Sequence, residues 1–74
     1  MLSRVEAEVE TLPFHDRLEA RRLLLEFKEN LNHKALVEVL KILKRYGFKL
    51  RRDELKMLVE DVLTFIRARN ASSK

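Results

Sequence analysis

The chain has no cysteine, one proline and one glycine. Without cysteine, neither a disulfide framework nor a thiolate zinc site holds a small domain together. With one glycine there is no glycine-rich loop to cradle a phosphate. No segment approaches the roughly 18 uncharged apolar residues that span a membrane. The opening residues, MLSRVEAEVE, carry acids too early for a signal or transit peptide. An intracellular protein, in cytoplasm or nucleus, is therefore expected. Hydroxyls are scarce as well: ahead of the last residues only Ser3, Thr11, Tyr46 and Thr64 supply one.

What remains is helical in character. Of 74 residues, 46% are hydrophobic and 38% charged, and fourteen are leucine. Leucine in that proportion beside Lys, Arg and Glu is used efficiently only by helices. The length suits one domain, placed here at residues 1–70, with a disordered polar tail over 71–74. So short a chain has a marginal core. It needs nearly every large apolar residue inside, or a second copy of itself.

Four helices are expected. Helix 1 runs from about Arg4 to Thr11, with Ser3 and Glu6 as a capping box and Pro13 as its stop. It is too short to be stable alone and is the one expected to fray. Helix 2 runs from an Asp16 N-cap to about Asn30. Asn30-Leu31-Asn32 is a tight break, and Asn32 caps helix 3. So short a connection makes helices 2 and 3 an antiparallel hairpin. Helix 3 carries Leu36, Val39, Leu40 and Leu43 at helical spacing, widened by Ala35, Val37 and Ile42, and this places it at the centre of the bundle. It stops at Gly47. With Tyr46 as C-cap, Gly47 is the left-handed residue of a Schellman motif and Phe48 packs back on Leu43. Helix 4 begins within Leu50–Asp53, shows a stripe of Leu55, Leu58, Val59, Val62, Phe65 and Ile66, and fades through Arg67 to Asn70. The fold class is an all-α four-helix bundle with a central helix 2/helix 3 hairpin.

Charge is uneven. Residues 1 to 16 hold four acids against one base, whereas residues 41 to 56 hold seven bases against two acids. Lys44, Arg45, Lys49, Arg51, Arg52 and Lys56 form a basic patch, read as a steering surface for an acidic partner. The alternative is a basic nucleic-acid-binding protein. Against it, helix 4 offers no Gln or Asn ahead of its fading end to read adenine bidentately. The turn KRYGFKLRR is also longer than a helix-turn-helix usually allows. Catalysis finds little support. His15 and His33 show no ligand spacing with other residues, and Glu60-Asp61 reads as a solvated outer face. No enzyme activity, metal or cofactor is expected.

Helices 2, 3 and 4 carry more large apolar residues than such a bundle readily hides. Phe14, Leu23, Val37, Met57 and Leu63 are the candidates for an apolar groove, flanked by helix 1, that takes a partner helix, a peptide or a second copy.

Phe27 ending helix 2, Asn32 opening helix 3, and Leu36, Val37, Leu40 and Leu43 along it form a pattern that resembles the harmonin-homology domain, a small helical module of scaffold proteins. The likeness covers about Asp16 to Leu43. Within these 74 residues the sequence departs from that family in its longer Lys44–Asp53 segment, in the absence of a proline after Ile66, and in a fifth helix that is either absent or lies beyond them. The resemblance implies a module that receives a helix or peptide from another protein, with the matched residues as scaffold.

Overall fold

The structure is a computed structural model and describes residues 1–72. Four helices follow in order: α1 (Leu2–Val9), α2 (Phe14–Asn30), α3 (His33–Arg45) and α4 (Arg52–Ser72). The sequence's proposed tail begins inside α4, which continues through Ala71 and Ser72; residues 73 and 74 lie outside the described residues. Among the described residues there is no strand, and no helix is long and apolar enough to cross a membrane.

The α2/α3 hairpin is the most closely packed pair, as its short connection requires. Leu31 turns the chain with φ 53°, and the Asn32 side chain accepts the Lys34 N–H at 3.2 Å, capping α3. At the other end of α3 the Schellman motif is complete. Phe48 N–H donates to the Leu43 carbonyl at 3.2 Å and Gly47 N–H to the Lys44 carbonyl at 3.1 Å. Gly47 has φ +91°, a conformation that L residues avoid.

Two expected caps are replaced by other partners. Ser3 lies inside α1 rather than capping it, and Met1 takes the N-cap position without a side-chain bond. The acceptor comes from α4: Asp61 takes the Leu2 N–H at 3.0 Å and the Met1 ammonium at 2.6 Å. Asp61 therefore faces the start of α1, with its side chain 43% exposed. At α2 the N-cap is Pro13, whose carbonyl accepts the Arg17 N–H at 2.8 Å. Asp16 sits within the first turn instead and accepts a hydrogen bond from the Tyr46 hydroxyl. Proline's fixed φ starts the helix three residues earlier than a side-chain cap at Asp16 would.

The core gathers Val5, Val9, Leu12, Ala20, Leu24, Phe27, Ala35, Leu36, Val39, Ile42, Leu43 and Leu58. α3 supplies the most of these, as its wide stripe implied. Leu40 is an exception: it is only partly buried. The short α1 differs more from expectation. Its Val5 and Val9 are wholly buried, and its backbone approaches each of the other three helices. Salt bridges fix it there, Glu6 with Lys28, Glu10 with Arg21 and Arg4 with Glu54. A helix too short to stand alone is thus held by what it wedges between.

Candidate functional site

α4 decides the surface. It starts with Arg51 N–H donating to Glu54 Oε1 at 3.1 Å, half of a capping box, and the Arg51 carbonyl takes the Leu55 N–H at 2.8 Å. At about 100° per residue, Leu58 and Phe65 fall on one shoulder of its apolar stripe. Leu55, Val59, Leu63 and Ile66 fall on the other, within about 80°. The first shoulder meets the core: Leu58 is 3% exposed, and Phe65 stacks on Phe27. The second has no covering helix. Leu55 is 48% and Val59 51% exposed.

This uncovered shoulder continues into a recess of about 340 Å³ lined by Leu40, Lys44, Phe48, Lys49, Leu50 and Leu55. The Schellman turn builds its floor, because reversing the chain at Gly47 brings Phe48 and Leu50 back beside α3. Phe48 is steadied from behind by the Arg4 guanidinium, 5.4 Å from its ring centre. A second, separate depression shares Leu55 with the recess and lies on α4 itself, lined by Arg52, Leu55, Lys56, Val59 and Glu60. Through the shared Leu55 the two depressions bring the partly buried Leu40, Phe48 and Leu50 next to the exposed Leu55 and Val59, with Lys44 and Lys49 at the first and Arg52 and Lys56 at the second.

The residues singled out in the sequence distribute differently. Phe14, Val37, Met57 and Leu63 are exposed, and Leu23 packs partly against the core. They do not converge. Phe14 starts α2, about 24 Å from the hairpin turn, while Val37 lies about 6 Å from it. Met57 and Leu63 point about 120° apart around α4. Leu63 alone adjoins the uncovered shoulder. Nor does α1 flank the apolar recess: the depression it lines, with Arg4, Glu8, Thr11 and Lys49 at its edge, is predominantly polar. The sequence reading missed Leu40, Phe48, Leu50, Leu55 and Val59. The available signal is the width of the α4 stripe, which places Leu55 and Val59 beside Leu58 and Phe65 without showing which of them a neighbour covers.

The six basic residues are all exposed. None forms a side-chain salt bridge among the described residues, in contrast to Arg4, Arg21, Arg22, Lys28 and Lys41, each of which is paired. Lys44, Lys49, Arg52 and Lys56 line the groove. His15 and His33 are exposed, and among the described residues no three His, Asp or Glu side chains gather as a ligand set.

The fold and surface define a small all-α bundle with an apolar groove between α3, the α3–α4 segment and α4. No protein-family model, curated protein or solved structure matches the chain.

Proposed function

We propose that the protein is a non-catalytic interaction module that receives an apolar helix or peptide of a partner in the groove between α3 and α4. The observation that carries this reading is the apolar surface where the recess at Leu40, Phe48 and Leu50 meets the exposed Leu55 and Val59 of α4. Burial of such a surface contributes about 25 cal/mol per Å², so leaving it in water costs stability that a partner restores. The resemblance to the harmonin-homology domain implies such a receiving module; of its matched residues Phe27, Leu36 and Leu43 lie in the core, whereas Val37 is exposed and Leu40 lines the recess.

The test is titration of ¹⁵N-labelled protein with amphipathic helical peptides, followed by amide shifts. Shifts concentrated at Leu40, Phe48, Leu50, Leu55 and Val59, and abolished by Leu55→Gln, support the module. Shifts confined to other surfaces, or none with any amphipathic peptide, remove it.

A second reading draws on the same unpaired cations. Contact with a nucleic-acid backbone would use Lys44, Arg45, Lys49, Arg51, Arg52 and Lys56 without the apolar surface. It would show as a steep fall of log affinity against log salt.

A further inference from the structure

We infer that the groove's occupant is an acidic amphipathic helix of another protein, its apolar face on Leu40, Phe48, Leu50, Leu55 and Val59 and its carboxylates against Lys44, Lys49, Arg52 and Lys56. The inference rests on the groove reading above and adds the chemistry of the partner.

Charge pairing within the bundle is the first ground. Arg21 and Lys28 are taken by Glu10 and Glu6, Arg22 by Glu19, Lys41 by Glu38 and Arg4 by Glu54. Among the described residues the four groove cations have no such partner, and Glu60 is the only acid lining either depression. These cations also come from different parts of the chain, on either side of the shared Leu55: Lys44 from α3, Lys49 from the segment after the turn, Arg52 and Lys56 from α4. An occupant therefore needs acids on both flanks of its apolar face, which is the pattern of an amphipathic helix. Arg52 and Lys56 are four residues apart, about 5–6 Å on a helix surface, so they match carboxylates one turn apart on a partner helix. Their aliphatic stems extend the apolar walls while the charged heads reach the partner's edge. The positive end of the α4 dipole lies at the same place and adds to the field.

A second copy fits poorly. Two such rims would set like charges against each other. Nor do α1 and its C-cap offer a free acidic complement, because Glu6 and Glu10 are already paired and, among the described residues, only Glu8 of these three glutamates has no salt bridge. A nucleic-acid duplex would engage the walls with phosphates but leave the apolar floor without a partner.

The experiment uses the full chain and three synthetic helical peptides with identical leucine positions, flanked by Glu, Gln or Lys. Affinity is read by fluorescence anisotropy and the site by amide shifts. The Glu peptide should bind about tenfold more tightly than the Gln peptide, and the Lys peptide most weakly. The difference should shrink toward nothing at about 1 M salt, where screening acts within about 3 Å. The double variant Lys44→Glu, Lys56→Glu should invert the order; both side chains are exposed, so its fold is checked simply by circular dichroism. Equal binding of all three peptides at the groove overturns the acidic partner while leaving the groove reading in place. Absence of binding by every peptide overturns both. Oligonucleotide binding that displaces the Glu peptide yet ignores Leu55→Gln overturns the proposal in favour of nucleic acid. A concentration-dependent dimer in sedimentation, dissolved by Leu55→Gln, overturns it in favour of a second copy.

Discussion

Phe27 and Phe65 lie ring on ring, with centroids 5.5 Å apart and planes 29° apart, and this pair ties the far half of α4 to α2. The Arg69 guanidinium, donating to the Glu29 carbonyl, closes the same seam one turn further on. Phe27 is wholly buried, whereas Phe65 is only partly so. Phe27→Ala should therefore cost about 3–5 kcal/mol, a large part of the roughly 5–15 kcal/mol that holds a small domain folded. Phe65→Ala should cost clearly less. Urea unfolding of the two variants checks the order, and a milder effect at Phe27 would mean that α4 is not held through this stack.

Neighbouring leucines of α3 should behave differently. Leu43 is 1% exposed, and Leu43→Ala should destabilise by about 2–5 kcal/mol. Leu40 lines the recess and is partly open, so Leu40→Ala should cost about 1 kcal/mol and show its main effect on peptide affinity instead. Comparable losses of stability from both would place Leu40 in the closed core and remove it from the groove.

Gly47 offers a backbone test. A Cβ added there meets nothing within 4 Å, so Gly47→Ala carries a conformational cost without a clash. At φ +91° that cost should be about 1 kcal/mol. Asparagine, which tolerates left-handed backbone better, should cost less than alanine. Equal stability of wild type and Gly47→Ala in urea would show that the turn relaxes out of the left-handed region.

Acid should weaken the bundle through carboxylates that join its helices. Glu54 is held below its ordinary 4.5 first by the Arg51 N–H and then by Arg4. Asp61 is held below 3.8 by the Met1 ammonium and the Leu2 N–H, and Glu10 is lowered by Arg21. Each binds its proton more weakly folded than unfolded, so its contribution is present above the ordinary carboxylate value and is lost as pH falls through the lowered one. Stability should stay nearly level from about pH 5 to 8 and decline below about pH 4.5. The decline should be shallower in Glu54→Gln. Urea midpoints across pH measure it, and an unchanged acid limb in that variant would assign the sensitivity elsewhere.

Exposed apolar residues away from the groove should matter little. Met57→Ala and Val37→Ala should each shift stability by no more than about 0.5 kcal/mol and leave peptide binding as it was. A marked loss of affinity from either, in the same anisotropy titration, would move the contact surface off the Leu55 shoulder.

Local chemistry in the sequence was enough to define four helices, the break at Leu31, the Asn32 cap and the left-handed stop at Gly47. Each depends on residues within one turn of each other, so spacing alone carries it. The basic character of 44–56 was legible for the same reason. Where the local rule failed, a distant group had taken its place: Asp61 supplanted Ser3 at the start of α1, and Tyr46 engaged Asp16 within α2. Such partners lie thirty to sixty residues apart in the chain, and spacing does not report them. The same limit hid the groove. Periodicity shows that α4 has an apolar face but not the rotation of that helix about its axis. Rotation is set by what the helix packs against, and here Phe27 and the wedge of α1 turn Leu58 and Phe65 inward. Leu55 and Val59, equally apolar and on the same stripe, are left facing water beside Leu40 and Phe48, and only the tertiary structure decided that.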